Sequence, residues 1–268
     1  MRNLFKTIIN IIWSKKRYKY FLKKYFNDTE ENNLLGLIKA LYFEDHIKPI
    51  QIEIPQNKNI LVISPHPDDE TLGCGGLLIQ ASKNDCNIHI LCLSSGSKDE
   101  SKTREEELRK ASNYLGANGI TFLRLTDGNI GNEIIGKNIL NNLKTEFNPD
   151  ITLIPFILDG HDDHRDANKL LLELDNSYKN EIWCYQVYSN IIANSYCDIT
   201  HVVEQKYKAM ESYSSQLKFF DYINWNKGLN AWNSRLSFKK NHKYLESYFI
   251  IPSEHYIKVC QNYFDNND

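Results

Sequence analysis

The chain has 268 residues, 41% of them hydrophobic and 25% charged, with a formal net charge of −2. That length suits one generous α/β domain, or one domain with an appendage. The balance excludes a disordered chain and a strongly basic nucleic-acid binder, and no apolar run approaches the ~18 residues of a membrane span. Residues 1–25 carry eight Lys and Arg and no acid, so the remainder is acidic. Lys6 and the lack of a small-residue cleavage site argue against a signal peptide there. Residues 1–50 are expected to form a basic helical extension ahead of a domain spanning 51–268. Two readings of its first 25 residues stand: a docked helix with a solvated basic face, or peripheral contact with the inner membrane surface. In the second, each Lys near anionic lipid contributes on the order of 1 kcal/mol.

From Asn59 onward the pattern becomes regular. "NILVIS" (Asn59–Ser64) reads as a strand and "ETLGCGGLLIQASKN" as a helix. "NIHILCLS" (Asn87–Ser94) is a second strand, and Ser101–Gly116 a helix stopped by its glycine. "ITFLRL" gives a third strand, "NEIIGKNILNNLKTEF" one helix, and Asp150–Ile157 a fourth strand. "RDANKLLLEL" gives a helix and Glu181–Ser189 a fifth strand. Alternating strands and helices argue an α/β fold: a Rossmann-like three-layer sandwich around a mainly parallel sheet. The six scattered cysteines form no CxxC pair, which fits a reducing, cytoplasmic compartment.

Two polar clusters interrupt this pattern, each just past the carboxyl end of a strand, where open α/β sheets bind ligands. The first is "PHPDDE" (Pro65–Glu70) and the second lies in "LDGHDDHRD" (Leu158–Asp166). Acids in the first would repel a phosphate, and its glycines do not spell GxGxxG, so a nucleotide loop is excluded. Each cluster alone reads equally as a loop histidine or a helix cap. Together they look like a metal site assembled in space. Imidazole and carboxylate suit Zn2+, or another divalent ion such as Fe2+ or Mn2+. The aromatic-rich stretch Phe219–Phe238 can either line a sugar site or pack a C-terminal segment, with Arg235 the charge there able to reach a substrate.

These motifs resemble the PIG-L/LmbE-like family of metal-dependent amidohydrolases, which remove N-acyl groups from amino sugars. Pro65–Glu70 is similar to its PHPDDE motif and His161–His164 to its HPDH motif, with Asp162 in place of the proline. Further similarity lies in "REEELRKASNYLG", in "LTDGN", in Cys197–Leu217 and in "YLESY". The resemblance implies an LmbE-like fold, with His66, Asp69 and His164 as metal ligands and Asp68 as general base toward the water. It implies that His161 stabilises the oxyanion or protonates the leaving amine, that Asp163 orients His161, and that Arg104 and Asp127 hold sugar hydroxyls. The expected function is zinc-type deacetylation of an N-acetylglucosamine-like sugar, free or lipid-linked, in a glycan or glycoconjugate precursor. Amidase action on a sugar–thiol conjugate, or a sugar-binding scaffold with a vestigial site, are the alternatives. No nucleic-acid partner is expected.

Overall fold

Chain order and sheet order differ, and the difference places the site. The computed structural model describes residues 48–97, 99–134, 139–174 and 179–265. Lys48–Asp268 is one compact unit; the other, Met1–Ile47, lies outside the described residues, as does the basic segment 1–25. The elements run β1 (Ile50–Gln51), β2 (Asn59–Ser64), α1 (Asp69–Lys83), β3 (Asn87–Ser94), α2 (Ser101–Leu115) and β4 (Gly119–Leu125). Next come α3 (Ile130–Ile134), α4 (Ile139–Phe147), β5 (Ile151–Pro155), α5 (Asp162–Ala167) with a 3-10 turn (Asn168–Glu173), and β6 (Glu181–Tyr185). The chain finishes with β7 (Ser195–Asp198), α6 (Val203–Met210), α7 (Ser214–Leu217), α8 (Tyr222–Asn233), β8 (Leu245–Pro252) and α9 (Ser253–Asp265).

The strands form one sheet in the order β1-β7-β8-β6-β5-β2-β3-β4. Only β8 runs against its neighbours, antiparallel to both β6 and β7. Strand β2 alternates its side chains between two cores. Ile60 and Val62 join α1, α2 and α6 on one face, while Leu61 and Ile63 join α3, α5 and α9 on the other. This is the expected three-layer α/β sandwich. Because both faces are covered, β2 is apolar along almost its whole length, as central parallel strands are.

From β2 the chain adds β3 and β4 to one side, then returns to place β5 on the other. Strand order therefore reverses between β2 and β5, and a crevice opens beyond their carboxyl ends. Both polar clusters sit there. Helix α1 also approaches the sheet closely. A Cβ at Gly73 would fall 2.1 Å from the Tyr185 ring, and one at Gly76 2.4 Å from Ile199. Glycine is what lets this helix lie flat beneath the site.

Some expectations need correcting. The helix read over Asn132–Phe147 begins earlier, at Ile130, and is helical over Ile130–Ile134 and Ile139–Phe147; residues 135–138 lie outside the described set. The fifth strand stops at Tyr185 rather than Ser189. The three strands β1, β7 and β8 carry no alternation that the sequence reading caught. All six cysteines are free and buried.

Candidate metal centre

The first cluster is a strained turn held from several sides. Asp68 has φ 135°, a conformation that costs a non-glycine residue about 1–3 kcal/mol. Its own carbonyl starts helix α1 by accepting from Thr71 N and Leu72 N at 3.0 and 2.9 Å. Arg104 Nη2 donates to Pro67 O at 3.0 Å, clamping the preceding peptide. Glu70 locks the other side: its carboxylate accepts from Ser64 Oγ at 2.9 Å, from Asp68 N at 3.2 Å, and from the Thr71 and Tyr213 hydroxyls. Glu70 is therefore a structural acid, fully buried and fully engaged, and burial raises its pKa.

Asp69 is engaged differently. Its Oδ2 accepts from His66 N at 2.9 Å and lies 3.4 Å from His66 Nδ1 and 3.1 Å from His164 Nε2. The approach of His164 is too bent for a hydrogen bond, and Asp69 Oδ1 has no hydrogen-bond partner although it is buried. The two imidazoles thus flank one carboxylate, and both ring nitrogens of His164 lack a hydrogen bond. Each ring is backed by another acid. His66 Nε2 is 3.0 Å from Asp163 Oδ2 and 3.2 Å from Asp127 Oδ1, and His164 Nδ1 is 3.2 Å from Asp159 Oδ1. Carboxylate behind imidazole is how proteins orient histidines that hold a metal.

His161 stands against both rings, with its centroid 5.0 Å from that of His66 and 4.9 Å from that of His164. Its Nδ1 accepts from Asp163 N at 3.2 Å. The donor atoms of His66, His161 and His164 lie within 4.8 Å of one another, as do those of His66, Asp127 and Asp163. The Asp163 carboxylate does not meet the His161 ring as expected. It faces His66 and accepts from Gly128 N at 2.8 Å and Ile130 N at 3.4 Å. Only the Asp163 backbone N–H touches His161.

Charge explains the pKa directions. Burial would lower His66 and His164, but the surrounding carboxylates reverse this, raising His66 well above its ordinary value and His164 to about 9. Burial would raise Asp69, yet the attraction of His164 and His66 holds it well below the carboxylate range. Asp68 goes the other way: burial, then the Asp69 charge, pushes it up to about 8 against the pull of Arg104. Adjacent acids in one turn are thereby separated in character. Four carboxylates, of Asp69, Asp127, Asp159 and Asp163, thus surround His66 and His164, an arrangement able to hold a positive ion.

Residues 61–174, which contain both clusters, match the family model described as "PIG-L: GlcNAc-PI de-N-acetylase". Over this stretch the chain is similar to the PIG-L family. Diacetylchitobiose deacetylase of Thermococcus kodakarensis is 25% identical over 232 residues, covering 76% of this chain and 86% of that protein. Among solved structures, the conserved protein TT1542 of Thermus thermophilus aligns with TM-score 0.61 at 26% identity, over 71% of this chain and 93% of that one. N,N'-diacetylchitobiose deacetylase of Pyrococcus horikoshii aligns with TM-score 0.62 at 24% identity, over 85% of this chain and 95% of that one. That last likeness concerns the fold.

The late segments read as PIG-L-like lie outside the matched stretch, and the structure shows what they do physically. Tyr213 donates to Glu70, and Ser215 binds Glu107 of α2 through N at 2.7 Å and Oγ at 2.7 Å. Lys206 and Glu246 form a buried pair at 2.8 Å. Glu246 accepts from Gly76 N and Leu77 N in the middle of α1, while Lys206 Nζ donates to Leu72 O at 2.9 Å. In a regular helix Gly76 N would serve Leu72 O; here each has a side-chain partner.

Arg104 sits in the site wall, bonded to Pro67 O and 3.4 Å from Asp68 Oδ2, so its charge faces Asp68. Asp127 is half-exposed and lines a cleft of ≈ 470 Å3 with Ser95, Ser97, Ser101, Arg124 and Thr126. Arg235 has Trp232 and Asn233 as its partners, not a site residue. Two residues of this site went unassigned in the sequence. Asp159 backs His164 and also accepts from His161 N, Tyr188 N and Ser189 N. Tyr188 lays its ring 5.3 Å from His164 and 6.0 Å from His161. Asp159 was visible as an acid two residues before His161; Tyr188 carried no signal.

Proposed function

We propose that this chain hydrolyses the N-acetyl group of an N-acetylglucosamine-type amino sugar, releasing acetate and a free amine. One observation carries the reading: His66, Asp69 and His164 converge, with Asp69 Oδ1 and both His164 ring nitrogens lacking a hydrogen bond, beside the buried carboxylate of Asp68. These three residues would hold a divalent ion, with Zn2+ or Fe2+ fitting two imidazoles and one carboxylate. Such an ion, when bound, lowers the pKa of water and polarises a carbonyl.

The chain's own residues do the rest. Asp68 takes the proton of the attacking water, and a pKa near working pH is what a general base needs. Arg104 fixes that carboxylate and the turn that bears it. His161 accepts at Nδ1 from a backbone N–H, so its neutral ring carries its proton on Nε2. Burial, and then the neighbouring histidines, lowers its pKa and keeps it neutral. That N–H can stabilise the developing oxyanion, and the proton that Asp68 takes from water is the one that passes to the leaving amine. Asp127, open to its cleft, offers a carboxylate to sugar hydroxyls.

Acetate release from N-acetylglucosamine, its methyl glycoside and UDP-N-acetylglucosamine, alongside metal analysis of the purified chain, tests this. We expect stoichiometric divalent ion and turnover of at least one sugar. A chain without bound ion, releasing no acetate from any of them, would be a scaffold instead. Faster amide cleavage in an acylated sugar–thiol conjugate would redirect the substrate and keep the chemistry. The basic segment 1–25 is tested separately: equal liposome partitioning with and without it would end the membrane-surface idea.

A further inference from the structure

A second cleft, of ≈ 540 Å3, is lined by Tyr188, Phe220, Asp221, Tyr222 and Trp225. Tyr188 joins it to the candidate metal centre. One side of its ring meets His161 and His164, and it also stacks on Trp225 at 5.5 Å with 20° between planes. Tyr222 tilts against Trp225 at 5.9 Å, and Phe220 against Tyr222 at 5.6 Å. Phe220 and its neighbour Phe219 are 65% and 68% exposed. Large aromatic side chains left open beside a polar centre mark a ligand surface more often than a packing fault.

The chemistry of the lining limits the occupant. Four aromatic side chains line it, with Phe220 and Tyr188 the exposed ones, and the one charged group is the Asp221 carboxylate. Among the described residues lining this cleft there is no Lys or Arg, so a phosphate or diphosphate would meet an anion and no cation. A neutral sugar ring fits: its C–H faces lie on aromatic planes, while its hydroxyls reach Asp221 and the tyrosine hydroxyls. We propose that this cleft binds a second, uncharged pyranose linked to the acetylated sugar, so that the preferred substrate is a short neutral glycan. This rests on the deacetylase reading and narrows it, favouring an oligosaccharide over a nucleotide-linked or phosphate-linked sugar.

The test compares kcat/KM for three substrates: the N-acetylglucosamine methyl glycoside, N,N'-diacetylchitobiose and UDP-N-acetylglucosamine. The two-ring sugar should be preferred over the one-ring glycoside by about tenfold or more, a ratio worth one stacked contact. In Trp225→Ala and in the surface variant Phe220→Ala that ratio should fall toward one. Faster turnover of UDP-N-acetylglucosamine than of the disaccharide, or a ratio unchanged in both variants, would overturn the proposal. Saturation-transfer NMR with cellobiose, two neutral rings without an acetamide, reads the cleft even if no acetate is released. Transfer to cellobiose that weakens in Phe220→Ala supports the cleft; its absence in the wild-type chain counts against it, whatever the deacetylase reading does.

Discussion

Two buried charge clusters meet helix α1, one at its first residue and one at its middle, and they are satisfied in opposite ways. At the middle, Glu246 accepts from Lys206, Gly76 N, Leu77 N and the Tyr248 hydroxyl, and Lys206 donates to Leu72 O and Asn230 Oδ1 as well. Unlike charges and backbone groups complete one another there. At the first residue, Asp69 Oδ1 and both ring nitrogens of His164 lack a hydrogen bond while carboxylates crowd around them. Burying polar atoms without partners costs roughly 1–3 kcal/mol each, more for charged ones. A chain that completes one cluster and leaves the other open on the same helix has reserved the open one for something it does not itself supply. Satisfaction, not acidity, separates architecture from function here.

The sharpest way to break this contrast is at the open cluster. His164→Ala should lose both the bound ion and turnover. Asp68→Asn should cut kcat by about 10²–10⁴-fold, the usual worth of a positioned base, while metal content measured by emission spectroscopy stays near wild type. Loss of the ion from Asp68→Asn would show that the two neighbouring aspartates share the ligand role.

At the completed cluster, Glu246→Gln leaves Lys206 buried without its counter-charge. Breaking one partner of such a pair costs about 3–5 kcal/mol, read as a lower midpoint in urea. The fraction that stays folded should bind its ion normally. If Glu246→Gln instead leaves stability intact and weakens the ion, the pair belongs to the site. Lys206→Met with Glu246→Leu together should not recover the loss, because Gly76 N, Leu77 N and Leu72 O would be left buried without their side-chain partners.

Asp159 joins the two kinds of behaviour, since it backs His164 and also ties the loop at Tyr188 and Ser189 to the centre. Asp159→Asn keeps the acceptor oxygen and removes the charge. Ion affinity or activity should fall about 10–100-fold, the usual effect of losing the group behind a ligand histidine. A change confined to thermal stability would make Asp159 a loop anchor alone.

How far the sequence revealed this depended on whether a residue's partner was apolar. Strands β2 and β3 lie where "NILVIS" and "NIHILCLS" place them, because burial on both faces leaves near-continuous apolar runs. Helix α8 was hidden because its buried stripe is Asn226, Asn230 and Asn233. At helical spacing these amides serve Leu72 O, Leu245 O and Gln186 Oε1 rather than a hydrophobic core, so the pattern reads as polar loop. Strand β8 carries Glu246 and Ser247 in its buried half, for the same reason. In the site, the residue types announced themselves, but the pairing did not. Asp163 is adjacent in sequence to His161's loop, yet its carboxylate crosses to His66, 97 positions earlier.

The smallest expected effect concerns Asp162, which stands where the related motif has proline. Asp162 is the first residue of α5, the helical position at which proline's missing N–H goes unnoticed. His161 before it is extended, at φ −94° and ψ 133°, the conformation a residue preceding proline is driven to adopt. The backbone thus already has the shape that proline would impose, and His161 is held by the Asp163 N–H and by its own N–H on Asp159. Asp162→Pro removes the ion pair with Arg165, but Asp162 is 82% exposed and such a pair is worth little. Arg165 keeps its bond to Asp159 O at 2.6 Å. The expected outcome is a stability gain of about 0.4–1 kcal/mol from a stiffer unfolded chain, with kcat unchanged within about twofold. A larger fall in kcat with the fold intact would mean that His161 needs the freedom, or the charge, that aspartate gives this turn.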